Sequence, residues 1–232
     1  MLLAMNFGTT LRELGLRDGS LYLLGRFLSL VSRGRVRITK YYLTAQPIGS
    51  GQSTKLRPDP GTTFRDVLPG DDLIAAFPAR PADTLLRRFG TGATCTAAVV
   101  KGQFAGFIWL QREAYEEDEV RCTYVLVRPE ASVWDFDVHI EPRYRLGRTM
   151  ARLWAHVDER LGSSGVRWSF SRISAFNVAS LSSHARLGAR RCGAVSFLTL
   201  GPWQLAWGAC GWHWSTSSRL VPRVLLMPPQ AA

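Results

Sequence analysis

Asn177-Val178-Ala179-Ser180-Leu181-Ser182-Ser183-His184-Ala185-Arg186-Leu187-Gly188-Ala189 reads as a short helix that opens on a polar cap and closes on glycine. Upstream, Ile140-Glu141-Pro142-Arg143-Tyr144-Arg145-Leu146-Gly147-Arg148-Thr149 runs from a strand end, through a basic turn, into another helix. Between the two, Met150, Leu153, Trp154, Val157 and Leu161 recur at helical spacing, and Gly162-Ser163-Ser164-Gly165 ends the helix. Val166, Trp168 and Phe170 then alternate with Arg167, Ser169 and Ser171, which predicts a strand. Two successive strand-to-helix junctions suit an anionic cofactor held beside a reacting group, because a helix start carries unpaired N–H groups and partial positive charge.

Working outward, the apolar stripe Leu21, Leu24, Leu28 and Val31 predicts a helix over 20–32, capped by Ser20 and ended by Gly34. The expectation is that this stripe packs on the core. Val36–Ile48 reads as a strand, and 49–62, rich in Gly, Ser and Pro, as a loop. Phe64–Phe77 and Ala82–Phe89 read as two short helices broken by Pro78 and Pro81. Strand-like runs follow at Thr94–Val100, Phe104–Gln111, Arg121–Val127 and Val133–Ile140, the first hairpin turning at Lys101-Gly102-Gln103. Glu116-Glu117-Asp118-Glu119 reads as a solvated loop tip. Strands are expected at about 190–200 and 203–209, joined at Gly201-Pro202, and the tail from Cys210 shows no period. The layout is α/β with a mixed sheet whose central helix joins parallel strands. It divides into a helical extension over 1–35, a main domain over 36–209 and a tail over 210–232.

The 232 residues are 46% apolar with eight tryptophans, enough for a sizeable core and unlike a disordered chain. A net charge of +11 and a pI of 10.2 favour anionic partners: a nucleotide cofactor, nucleic acid or an acidic membrane face. Cys95, Cys122, Cys192 and Cys210 stand far apart and there are four histidines, so no metal site is expected and the thiols read as reduced. Met1-Leu2-Leu3-Ala4-Met5 lacks the basic region and long apolar run of a signal peptide. From Cys192 to Ser218 there is no charged residue, yet the glycines, Pro202 and many hydroxyls favour strands over a membrane span.

The two junctions resemble the signature motifs of the GNAT superfamily of acyltransferases. Pro142-Arg143-Tyr144-Arg145 matches the start of the first motif, whereas Arg145-Leu146-Gly147-Arg148-Thr149-Met150 carries a single glycine, one place early. Asn177, Ser180, His184, Leu187 and Gly188 hold the places of the second motif. The resemblance covers about 95–209. It implies a GNAT-like mixed, mostly antiparallel central sheet flanked by helices. It also implies an acyl-CoA-dependent acyltransferase, most simply an N-acetyltransferase moving an acetyl group from acetyl-CoA to an amine by direct attack. Acetyl-CoA is then the co-substrate, with Arg143, Arg145, Leu146, Gly147, Arg148 and Thr149 around its diphosphate, and with Asn177 and Ser180 along its pantetheine arm. Backbone N–H groups of Val138–Ile140 would polarise the thioester carbonyl, and His184 stands where the family often places a tyrosine acid.

The base is read from the residues. Asp135, Asp137 and His139 alternate with Trp134, Phe136, Val138 and Ile140, so in a regular strand they form one polar row; Asp137 or His139 is expected to take the amine proton. Glu141 is a third candidate, expected to pair with Arg143. Trp203, Trp207, Trp212 and Trp214 read as core or as walls of an acceptor pocket. The acceptor itself is left open, a saccharide precursor being one choice. The alternative reading is a non-catalytic basic binding module, or a membrane-surface protein, on the same fold; no nucleic-acid-binding motif supports a nucleic-acid partner. A cytoplasmic protein with some peripheral membrane contact is expected.

Overall fold

The computed structural model describes residues 7–49, 56–57, 59–78, 82–216 and 220–229. The reading of Met1–Met5, most of the 49–62 loop between Gly49 and Asp59, and the break at Pro81 lie outside the described residues. The elements are α1 (Phe7–Val31), β1 (Val36–Pro47), β2 (Thr62–Val67), α2 (Ala82–Gly90), β3 (Thr94–Val100), β4 (Gln103–Gln111), β5 (Ala114–Glu116) and β6 (Thr123–Leu126). They continue with β7 (Ser132–Ile140), α3 (Thr149–Ser163), β8 (Trp168–Ser174), α4 (Val178–Arg186), β9 (Arg190–Leu200), β10 (Trp203–Gly208), β11 (His213–Ser215) and β12 (Arg223–Leu226). The fold is mixed α/β with mostly antiparallel strands. The chain forms two compact units, one from Met1–Ala45, Glu116–Val125 and Arg172–Ala232, the other from Gln46–Tyr115 and Leu126–Ser171.

In the second unit the strands lie in the order β8-β7-β4-β3-β2. β7 and β8 are parallel, joined by the α3 crossover, and the other pairs are antiparallel. The β3–β4 hairpin turns at Lys101 and Gly102, both at positive φ (49° and 75°), the conformation a two-residue turn of right-handed strands requires. Leu153, Trp154, Val157 and Leu161 of α3 are buried at the periodicity expected. α3 covers one face, where Arg160 reaches Asp66 at 2.6 Å and His156 stacks on Phe64. The other face is a core of Val67, Phe77, Cys95, Phe104, Phe107 and Trp109, packed by Leu85 and Phe89 of α2.

The expected helix over Phe64–Phe77 is not formed. Thr62, Thr63, Phe64 and Val67 pair with β3 as a strand, and Pro69-Gly70, with Gly70 at φ 83°, stops it. Only a 3-10 turn over Asp72–Ala76 follows, capped by Asp71. Tertiary pairing here overrides an apolar spacing that fits either element.

In the first unit β11, β10, β9 and β1 form an antiparallel run. The charge-poor stretch is thus strands, as expected, and among the described residues no helix is long and apolar enough to cross a membrane. Three expectations fail. α1 is longer than 20–32 and begins at Phe7, with a kink at Gly15 (φ 76°, ψ 169°), so Ser20 is interior. Its stripe is covered only in part: Leu21 and Leu28 are half-buried, whereas Leu24 and Val31 are exposed. The tail holds β11 and β12. The acidic tip is not wholly solvated either: the Glu117 carboxylate is fully buried and paired with Arg172 at 2.7 Å, while Glu119 accepts from Tyr41. Removing either partner of a buried pair strands a charge, so the Glu117–Arg172 bond ties this loop to its unit.

Candidate functional site

β7 carries the first part of the site. Its pairing with β8 is confined to Ser132↔Trp168, Val133↔Ser169 and Trp134↔Phe170. Beyond Trp134 that edge of β7 has no strand partner among the described residues. The other edge stays paired with β4 through Ile140, and Glu141 N–H donates to Ala105 O at 2.9 Å. Antiparallel pairs alternate between hydrogen-bonded and non-hydrogen-bonded positions. With Glu141↔Ala105 bonded, His139↔Phe107 is bonded and Val138↔Ile108 and Ile140↔Gly106 are not. The N–H groups of Val138 and Ile140 therefore point to the open edge. Gly106 permits this close approach, since a Cβ there would lie 2.3 Å from His139 O.

Directly after β7 comes a 3-10 turn over Pro142–Tyr144, then further turn residues, then α3. Arg145 and Gly147 N–H groups are spent inside the turn, on Pro142 O (3.3 Å) and Tyr144 O (3.1 Å). Those of Leu146, Arg148, Thr149, Met150 and Ala151 find no backbone acceptor among the described residues. The N-cap Arg148 contributes no side-chain cap. The Arg145 Nε donates to Ile140 O at 2.8 Å, and the Arg143 guanidinium lies over the Tyr144 ring at 4.8 Å. Among the described residues no hydrogen bond or ion pair engages the Arg148 side chain. Open amides, the α3 N-terminus and an exposed arginine are thus brought together, an arrangement chemically suited to an anion. Of the turn residues expected around the diphosphate, Leu146, Arg148 and Thr149 keep open amides, whereas those of Arg145 and Gly147 are spent.

The polar row expected on β7 is broken. Trp109 pairs with Asp137 but its neighbour Leu110 pairs with Asp135, so Phe136 is the extra residue of a β-bulge. Adjacent residues of β4 face opposite sides, and so do Asp135 and Asp137. Asp135 is buried on the α3 side, where Ser169 and Ser171 hydroxyls donate to it at 2.8 and 2.7 Å, and burial pushes its carboxyl up to about 7. Asp137 lies on the α2 side, its carboxylate 2.7 Å from Arg88. His139 lies tilted against Phe107 with ring centroids 5.6 Å apart, its Nε2 2.9 Å from Glu141 Oε1. Glu141 thus pairs with His139, where Arg143 was expected. The signal was an i, i+2 spacing along one strand face.

The second junction lies in the other unit. Asn177 caps α4, its Oδ1 accepting from Ser180 N–H at 3.0 Å. His184 is 4% exposed, and burial pushes its imidazole down to about 4. It faces a cavity of about 310 Å³ with Glu13, Asp18, Thr44 and Arg191 on its walls. Burial thus works against the imidazolium form that would donate a proton to a leaving thiolate. No group of His, Cys, Asp or Glu able to hold a metal is present among the described residues.

No protein-family model matches the chain, and no curated protein matches it. Among solved structures it is similar to a functionally unknown conserved protein from Staphylococcus epidermidis, at a TM-score of 0.52 and 12% identity, over 75% of this chain and 66% of that one. A tandem GNAT protein from the clavulanic acid biosynthesis pathway follows at a TM-score of 0.48 and 14% identity, over 71% of this chain and 55% of that one. An aminoglycoside N-acetyltransferase in complex with CoA has a TM-score of 0.43 and 19% identity, over 57% of this chain and 91% of its own. This chain spans less than two thirds of the length of the first two. At such identities the likeness is one of fold.

Proposed function

We propose that the protein is a GNAT-like acyltransferase that uses acetyl-CoA and acetylates an amine acceptor by direct attack. One observation carries this reading: the unpartnered edge of β7, with Val138 and Ile140 N–H directed outward, leads straight into the uncapped start of α3. The residues fit the co-substrate. Leu146, Arg148 and Thr149 amides and the Arg148 guanidinium suit a diphosphate, with Arg143 and Arg145 adding charge. Acetyl-CoA supplies the activated acyl group. Val138 N–H is then aimed where negative charge develops on a carbonyl oxygen, a donor typically worth about 3–4 kcal/mol.

His139 is the proposed base, oriented by Glu141, and takes the proton of the attacking amine at a ring nitrogen. Asp137 is the weaker candidate because its carboxylate is committed to Arg88. Asn177 and Ser180 are assigned to the α4 cap, and His184 to packing. The proposal keeps 36–209 as the catalytic domain, with 1–35 and 210–232 as additions, and a cytoplasmic location.

The test is release of CoA thiol when purified protein is offered acetyl-CoA and a panel of amines, run beside thermal unfolding. At a hundredfold excess over the dissociation constant, acetyl-CoA should stabilise the fold by about 2.7 kcal/mol. His139→Ala should lower turnover by about a hundredfold or more while leaving the acetyl-CoA affinity within twofold. Absence of any thermal shift at saturating acetyl-CoA would remove the transferase reading in favour of a binding module.

A further inference from the structure

In the first unit the inner sheet face is ordinary: Val195, Phe197, Gln204, Ala206 and Ser215 are all buried. The register puts a different set on the outer face. Leu200 stands opposite Trp203, Leu198 opposite Leu205, and Leu205 opposite Trp214. Residues directly opposite share a face. Trp207 belongs to it too, opposite Ser196, and Trp212 stacks on Trp207 at 6.0 Å, while Trp203 meets Trp214 at 5.6 Å. These rings are neither core nor pocket wall: Trp203 is 48%, Trp214 55% and Trp212 78% exposed.

α1 lies on the same side, with Gly25 against Ile38, which pairs with Leu198. Its Leu24, Phe27, Leu30 and Val31 are exposed as well. The end of α1 adjoins the β9–β10 turn, since Val36 pairs with Leu200 and Gly201 N–H donates to Arg35 O at 3.2 Å. Helix and sheet therefore present one apolar, aromatic surface, of a kind that marks an interaction site.

The charges around it select the partner. The sequence has no Asp or Glu at 19–58, nor at 160–232, although Arg26, Arg33 and Arg35 lie on or just after α1 beside this face. A protein partner of ordinary composition asks for both signs at the rim; an anionic bilayer asks only for cations, with tryptophans at headgroup depth. We propose that this face, centred on Trp203, Trp214, Phe27 and Leu30, docks on the surface of an anionic phospholipid bilayer without crossing it. This goes beyond the transferase reading and does not depend on it.

The test is flotation of the full chain, without acetyl-CoA, with vesicles of phosphatidylcholine alone or mixed equally with phosphatidylglycerol. Binding is expected to the mixed vesicles, weakened by salt, and weakened about fivefold for each of Arg33→Gln and Arg35→Gln. Trp203→Ala with Trp214→Ala should lower partition at least about tenfold while leaving acetyl-CoA binding unchanged. Bilayer-brominated lipid should quench the wild-type tryptophan fluorescence, a reading that needs no variant. Failure of the wild type to float with phosphatidylglycerol vesicles overturns the proposal, as does flotation with no quenching. A dimer in sedimentation that the tryptophan substitutions dissolve, with no vesicle binding, would assign the face to a second copy instead.

Discussion

The two strand-to-helix junctions look alike in sequence and differ in how their helix starts are satisfied. At α4, Asn177 closes the end with its own side chain. At α3 the N-cap is Arg148, which cannot accept a hydrogen bond, and the amides beside it stay open. A helix start needs an acceptor from somewhere. One junction carries its acceptor in the chain; the other leaves its amides open, as the proposed diphosphate site requires. The contrast teaches that a strand running into a helix start is not in itself an anion site. What decides is whether the capping residue is an acceptor or a cation.

The largest effect expected concerns the strand feeding the open junction. If the bulge at Phe136 puts Asp135 on the α3 side, burial pushes its carboxyl up from the ordinary carboxylate range to about 7. A folded-state value raised above the unfolded one gives stability that is fully present below about pH 4 and is lost as pH rises through about 7. This contribution should fall by several kcal/mol across that window. Asp135→Asn, which stays neutral, should flatten the slope of denaturant-measured stability between those limits. An unchanged slope would return Asp135 to the exposed side and undo the parity break at Phe136.

Next in size is Arg148→Glu. It places an anion at the α3 N-terminus, where the helix dipole favours it, so the ligand-free melting temperature should hold or rise slightly. The acetyl-CoA affinity should fall about a hundredfold, or about 2.7 kcal/mol, in a calorimetric titration. Equal affinity would mean that the cradle lies elsewhere. Thr149→Pro sharpens the same contrast. Proline suits the first helical position, so the helix survives while one amide donor is deleted. A loss of about tenfold in affinity is expected for one hydrogen bond to a charged group.

Much of this arrangement was legible in the residues. The spacing of Met150, Leu153, Trp154, Val157 and Leu161 defined α3, and the strand-like runs on either side of Lys101-Gly102-Gln103 defined a hairpin. The bulge was not legible: Trp134 to Ile140 alternates without fault, and the extra residue shows only once β4 is laid beside it. Nor could a stripe on α1 or four tryptophans reveal whether a core or solvent meets them, since apolar spacing specifies a face and not its neighbour. The state of His184 follows from burial, which no spacing reports. The pairing of His139 with Glu141 was available from their i, i+2 spacing, but the adjacent Arg143 offered an equally good partner on paper.

The smallest effect tests the closed junction. Asn177→Ala deletes the acceptor for Ser180 N–H and should cost about 1 kcal/mol of stability. Asn177→Asp should restore it, since a carboxylate caps as well and favours the helix dipole. If Asn177 acts only within α4, both variants keep the acetyl-CoA affinity within twofold, and stability alone moves. If instead the affinity drops for alanine and recovers for aspartate in step with stability, the cap shapes the cofactor arm from a distance. A drop in affinity with both variants, at unchanged stability, would mean that the asparagine amide itself touches the ligand, and the two junctions would then share one task.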